Sequence, residues 1–371
     1  MEKYSGSTPF KVFLHRFNSV LPRIRLEQED ANRTVGEMLI RNQLAEASKA
    51  PQWVSRFGVK SSLIGSRYVE STELPVHSQD IHEKATFFHD RTLEVFQKWY
   101  QKSETGPDHL VHVTCTGFVS PSSAQRIVTE KNWNQKTEVT HAYQMGCYAS
   151  IPAVRLAEGI SAAGFLVNGQ QKRIDIAHNE LCSLHTNPRE LTAEQIVVQT
   201  LFSDGHIKYS MSDERTARRE SAAGFEVVAH QEWQVPDSHQ DMSWIPAPFG
   251  MKMTLSREVP EKIGSALNPF LSALAEKAHV SLETLMHESL FAIHPGGPKI
   301  VDAVQGIIGL SDEAVASSKQ VLFERGNMSS ATLPHIWANL LETPQNRLVV
   351  SLAFGPGLTI FGSVFRLTRF S

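Results

Sequence analysis

From Leu110 onward the chain alternates short apolar runs with longer helix-patterned ones, and that alternation restricts it to an α/β architecture. Leu110 to Thr116, LVHVTCT, has the continuous apolar character of a strand covered on both faces. A turn at Gly117 leads into a helix opening at Pro121 or Ser122, where serine is a good N-cap. A second strand-like run ends at Gly146, and helix formers follow with apolar residues at Ile151, Val154, Leu156 and Ile160. Arg173 to Leu184 reads as the next strand, and Thr192 to Leu201 as a helix ending at the turn Ser203-Asp204-Gly205.

The stretch Glu138 to Gly164 places Cys147 at a strand-to-helix turn. There the free N–H groups and the positive end of the helix dipole favour a thiolate over a thiol. A small buried hydrophobe is the ordinary fate of such a cysteine. Chemistry enters only if partners lie elsewhere in the chain.

Ahead of this region, FKVFLHRFNSVLP reads as a strand, and Glu27 to Ala47 carries helical spacing. Asp80 to Lys102 is an amphipathic helix with Ile81, Ala85, Phe88, Leu93, Phe96 and Trp99 on one stripe. Residues 212–248 are the least legible, a strand FEVVAHQEWQV followed by a Pro-interrupted loop DMSWIPAPFGM. Helices are expected over Pro260 to Ala278, Lys299 to Leu310 and from Ser311 to Arg325, with a short strand Leu290 to Ile293 leading into His294-Pro295-Gly296-Gly297-Pro298. The chain closes on RLVVSLAF and LTIFGSVFRLTR, a hairpin about Gly355-Pro356-Gly357. At 371 residues two halves are expected, 1–230 and 231–371.

Composition excludes several classes. Thirty-six Lys and Arg against 39 Asp and Glu leave a net charge of −3 with no like-charged block, so neither nucleic acid nor a membrane surface is indicated as a partner. Three cysteines, Cys115, Cys147 and Cys182, form no C-x-x-C pair; this argues against a disulfide framework and a metal site and fits a reducing cytoplasm. No uninterrupted apolar run approaches the length of a bilayer span.

Two residues of the second half could serve Cys147. His294, at the tip of a strand, can act as proton acceptor or cationic partner for a thiolate. Its Nε2–H and the Asn327 amide together supply two donors for negative charge on a thioester carbonyl or an enolate. Gly296 and Gly297 let the backbone approach a ligand, and the helix near Lys299 offers N–H groups to a phosphate.

The motifs QMGCYA around Cys147, ELCSLH at 180–185, LFSDG at 201–205, HPGGPKIVDAV at 294–304, GNMSSAT at 326–332 and AFGPGLT at 353–359 together resemble the type III polyketide synthases, chalcone synthase-like enzymes of the thiolase superfamily. The match runs in order from about residue 115 to the C-terminus. It implies a thiolase-like five-layered αβαβα fold of two similar halves, a homodimer, and a Cys-His-Asn site at the end of a tunnel for coenzyme A thioesters, with no tightly bound cofactor.

Carried over, Cys147 takes the acyl-CoA starter, while His294 and Asn327 bind malonyl-CoA, promote its decarboxylation and hold the enolate. The resemblance also implies that His294 keeps Cys147 ionised. Phe202 corresponds to a gating phenylalanine and Met253 to a second gating position where plant members carry Phe. Cys182, Cys115, Thr116 and Ser329 correspond to cavity walls, and Gly355, Pro356 and Gly357 to the loop shaping the cyclisation pocket. Lys60 and Arg67 are assigned the coenzyme A phosphates, with Gly296, Gly297 and Lys299. Where plant members carry Glu after the Gly-Pro-Gly loop, this chain places Phe361 nearby. Met253, Cys182 and Ser329 suggest an adaptable pocket and a medium or long aliphatic starter.

The expected reaction is iterative condensation with malonyl-CoA and cyclisation to a pyrone, resorcinol or phloroglucinol. A ketoacyl synthase III-like single condensation is the alternative, with acyl carrier protein as a possible donor, although no basic patch is evident. A Cys-His-Asn hydrolase would not need the GNMSSA and FGPGLT context.

Overall fold

The computed structural model describes residues 10–20, 80–102, 105–169, 171–187, 190, 192–343 and 346–370. The helix expected over Glu27 to Ala47 lies outside the described residues. In chain order the elements are β1 (Val12–Val20), α1 (Ile81–Trp99), β2 (His109–Thr114), α2 (Ser123–Glu130), β3 (Glu138–Tyr143), α3 (Ser150–Asn168), β4 (Ile174–Leu181), α4 (Ala193–Leu201), β5 (Asp204–Asp213), α5 (Glu214–Glu220) and β6 (Ala223–Gln234). They continue with β7 (Met242–Ala247), β8 (Gly250–Leu255), α6 (Val259–Lys277), α7 (Leu282–His287), β9 (Leu290–Ile293), α8 (Pro298–Ile308), α9 (Asp312–Arg325), α10 (Thr332–Leu340), β10 (Leu348–Gly355) and β11 (Thr359–Arg369).

Nine strands form one mixed sheet in the order β3-β2-β4-β5-β1-β6-β11-β10-β9. Its two sides meet at β1 and β6 through only two residue pairs, Phe13 with Glu226 and Leu14 with Phe225. Outward from that seam, β1 meets β5 and β5 meets β4 antiparallel, then β4 meets β2 parallel. On the other side β6 meets β11 and β11 meets β10 antiparallel, then β10 meets β9 parallel. One pairing scheme thus occurs twice. The resulting α/β fold is thiolase-like. The strand β6 itself crosses residue 230.

Between the halves, α3 contributes Ile151, Ala153, Val154 and Ala157 and α10 contributes Leu333, Ile336 and Trp337 to one core. A second core packs Leu267, Phe270, Leu271 and Leu274 of α6 against Ile360 and Val364 of β11. By length and composition alone α3 could cross a membrane. Its N-terminal half is instead buried in the protein core, whereas Leu156, expected on the buried stripe, is 37% exposed.

Local chemistry explains most boundaries. Asp80 caps α1 by accepting the His82 N–H at 2.8 Å, and Ser122 forms a full capping box with Gln125 at α2. Two segments depart from the sequence reading. The turn expected at Ser203–Gly205 opens directly into β5, a ten-residue strand whose polar letters hide its burial. Those polar groups are satisfied internally: Lys208 and Ser210 bond Asp175, and Ser212 bonds His15. The Pro-interrupted loop is a hairpin, β7 with β8, forming a two-stranded sheet apart from the main one.

Candidate active site

Cys147 sits in the turn between β3 and α3, where the Ala149 N–H donates to the Gly146 carbonyl at 3.1 Å. Gly146 has φ +85°, and a Cβ there would lie 2.5 Å from Pro356 Cδ. Only glycine lets this turn lie against the Gly355-Pro356-Gly357 loop. Next to the cysteine, Tyr148 stacks on Phe361 at 4.6 Å, so that apolar replacement braces the nucleophile turn.

A space of about 20 Å³ borders Cys147, room for roughly one water molecule. Cys115, Thr116, Cys182 and Phe202 line it, with Met253, Ser329 and Pro356. All seven were expected cavity residues, and Gly355 and Gly357 flank the last of them. None of the three cysteines forms a disulfide, and among the described residues no group of His, Cys, Asp and Glu is arranged to hold a metal ion. The filled cavity counts against a medium or long aliphatic starter in this conformation.

Asn327 is brought to Cys147 by pairing with Phe202: Asn327 N–H donates to the Leu201 carbonyl and Ser203 N–H to the Asn327 carbonyl, both at 2.8 Å. Its Oδ1 accepts the Ser329 N–H at 2.9 Å, leaving Nδ2, which makes no hydrogen bond of normal geometry, as the free end. Ser329 Oγ lies 3.8 Å from Cys147 Sγ. His294 follows β9 and donates its N–H to the Leu352 carbonyl at 2.8 Å. Because β9 and β10 run parallel, His294 leaves the sheet at the same end as the cavity residue Pro356. Both His294 ring nitrogens are buried without a hydrogen-bond partner.

Burial dominates the electrostatics. It pushes the Cys147 thiol up to about 12, against which the Ser329 hydroxyl and the Asn327 amide act. It also pushes His294 down to about 3. Each group taken singly therefore rests neutral, unlike the thiolate that the helix dipole alone would favour. Behind the cavity, burial raises Glu180 to about 7. Its carboxylate accepts from Thr116 Oγ1 at 2.8 Å, from the Cys115 N–H at 3.1 Å and from Ser330 Oγ, tying two cavity walls together.

Gly297 is the N-cap of α8 and packs near Leu201. Gly296 is half-buried, and Lys299 is exposed on the first turn of that helix. Lys60 and Arg67 lie outside the described residues. Sequence reasoning missed Trp244, which also lines the cavity. It is paired across the hairpin with Met253, so recognising the hairpin would have found it.

Residues 226–368 match the family described as chalcone and stilbene synthases, C-terminal domain. The chain is 27% identical over 257 residues to probable polyketide synthase 1 of Dictyostelium discoideum, covering 68% of this chain but 8% of that much longer protein. It is 25% identical over 314 residues to the type III polyketide synthase pspB of Penicillium soppii, 77% of this chain and 79% of the relative. Among solved structures it is similar to the C-terminal type III polyketide synthase domain of Steely1, a type I/III hybrid from Dictyostelium, with a TM-score of 0.76 at 21% identity, covering 98% of this chain and all of that domain. Residues 226–368 thus resemble the C-terminal domain of the chalcone and stilbene synthases, and the chain is similar in sequence to a type III polyketide synthase and in fold to a solved type III polyketide synthase domain.

Proposed function

We propose that the protein loads an acyl-CoA starter on Cys147 and extends it by decarboxylative condensation with malonyl-CoA. The observation that carries this reading is a buried thiol on which the Asn327 amide acts, together with His294 ring nitrogens that are buried without a hydrogen-bond partner. Such groups lose hydration without compensation unless a ligand completes them.

In the first step the Cys147 proton passes to His294 as sulfur attacks the starter thioester, and coenzyme A leaves with a proton as its thiol. Burial opposes either charge alone, but one proton transfer creates both together and leaves no net charge, so the two penalties offset. This is how His294 would keep Cys147 ionised. In the second step the His294 N–H and the Asn327 amide hold the malonyl thioester carbonyl. Loss of carbon dioxide leaves an enolate whose negative oxygen those same donors stabilise. The enolate carbon attacks the Cys147 thioester and the thiolate departs. Repetition and ring closure to a pyrone, resorcinol or phloroglucinol complete the reading. Coenzyme A is substrate here, with Gly296, Gly297, Lys299, Lys60 and Arg67 proposed for its arm and phosphates. A cytoplasmic homodimer, each chain built of two similar halves, 1–230 and 231–371, belongs to the same proposal.

One observation favours a second reading, a ketoacyl synthase III-like single condensation, possibly from acyl carrier protein: the space of about 20 Å³ leaves no room for a long chain. Incubation with radiolabelled malonyl-CoA and a panel of acyl-CoA starters, products read by mass spectrometry, separates them. Two or more malonyl-derived units per product, absent in Cys147→Ala, support iteration. One unit with every starter supports the second reading, and thioester hydrolysis alone contradicts both.

A further inference from the structure

Cys147 and His294 come from opposite halves. Cys147 follows β3 and opens α3, His294 follows β9, and β3 and β9 are the two ends of the strand order. Only two residue pairs of the β1–β6 ladder span the seam between the halves. One face of α3 buries Ala153, Val154 and Ala157 in the shared core. Apolar burial is non-directional, so the axial and rotational setting of this helix is fixed most sharply by directional contacts on another face.

Those contacts reach the β6–β11 ladder of the second half. Tyr148, next to the nucleophile, and Arg155, about two helical turns on, both meet Phe361 of β11. Tyr148 stacks on that ring at 4.6 Å between centroids, and the Arg155 guanidinium lies over it at 5.8 Å. Arg155 Nη1 also pairs with Glu232 Oε2 at 3.1 Å, and Glu232 stands opposite Phe361 in the ladder. Further along the helix, Glu158 Oε2 lies 3.3 Å from His230 Nε2, while His230 Nδ1 pairs with Ser363 Oγ at 2.6 Å. His230 and Ser363 are opposite each other in the same ladder, two residues from the first pair on each strand. The helix is therefore held at two rungs that share one face of the sheet.

From this geometry we infer that Arg155 and Phe361 are positioning residues that set the register of α3 on the second half and so hold Cys147 within reach of His294. The inference deepens the proposed proton transfer from Cys147 to His294 and rests on it. Neither residue is among those lining the cavity. The Arg155 side chain is 52% exposed, so its ion pair contributes little to stability. Its effect belongs to alignment, where a misplacement of about 1 Å costs about 10²-fold in rate.

The test follows iodoacetamide alkylation of Cys147 against pH, read as the mass of the peptide that carries it. It uses full-length wild type, Arg155→Met, Arg155→Lys, Phe361→Leu and His294→Ala, and the first and third substitutions combined with His294→Ala. The expected result is an upward shift of the profile by at least about half a pH unit for Arg155→Met and for Phe361→Leu. Arg155→Lys keeps a cation over the ring and should restore the wild-type profile. In the His294→Ala background neither substitution should add a shift, because the partner through which register acts is gone. Phe361→Leu changes no charge, so its shift is not the loss of a nearby cation. Thermal melts identify variants that unfold, and Arg155→Met, at an exposed site, keeps the inference falsifiable if Phe361→Leu does not fold. A wild-type profile in folded Arg155→Met, with His294→Ala shifted, would overturn the inference and leave the acyl-transfer reading intact. Shifts equally large with and without His294 would overturn it as well. A His294→Ala profile coincident with wild type would overturn the Cys147–His294 pairing and the inference with it.

Discussion

Burial leaves Cys147 and His294 neutral when each is considered alone, so reactivity at the nucleophile depends on their acting as a pair. Alkylation by iodoacetamide reads this directly, since only the thiolate reacts. Removing the proton acceptor should raise the thiol pKa, and the alkylation profile of His294→Ala is expected at least about one pH unit above that of wild type. Coincident profiles would mean that the thiol titrates without His294. Cys147, His294 and Asn327 could be proposed from the sequence because each stands in a motif, and the structure buries all three. Trp244 could not be, because its role comes from the strand opposite it and from a carbonyl 129 residues away.

At the scale of elements, the nucleophile turn, the Pro356 loop and the β7–β8 hairpin meet around one small space, and each relies on close backbone approach. Gly146→Ala would force a left-handed backbone on alanine and press its Cβ against Pro356. A loss of about 1–3 kcal/mol is expected from the strain, with Cys147 acylation falling in parallel. Urea unfolding together with acylation rates checks this, and a neutral substitution would mean that the loop yields freely. Helices such as α1 and α2 were legible from capping chemistry and apolar spacing. The strand β5 was not, because His206, Lys208, Ser210 and Ser212 look solvent-facing until partners such as Asp175 and His15 are known. In β7 a proline at 246 disguised a strand that lies in a separate two-stranded sheet.

At the scale of the whole molecule, the repeated pairing scheme joins two halves along a seam of two residue pairs and buries many imidazoles. Burial lowers His112, His178 and His335 to about 3 and His206 to about 4. The native state keeps these neutral while the unfolded chain takes up protons near pH 6.5. Their contribution to stability is therefore complete above about pH 6.5 and falls as pH drops toward 4, by up to ~1.4 kcal/mol per unit for each histidine. Glu180, raised to about 7, acts in the opposite sense, but it is one group against these four and His294, which burial lowers likewise. Urea midpoints should fall steeply between pH 7 and 5, and a flat profile would contradict burial of the neutral rings. The most direct measurement of the proposed chemistry is release of labelled carbon dioxide from malonyl-CoA by wild type, Cys147→Ala, His294→Ala and Asn327→Ala. If His294 and Asn327 hold the malonyl carbonyl while Cys147 only holds the acyl chain, Cys147→Ala keeps releasing carbon dioxide without forming product, and each of the other two loses about 10²-fold or more. Release that disappears in Cys147→Ala but persists in His294→Ala and Asn327→Ala would contradict that division of roles.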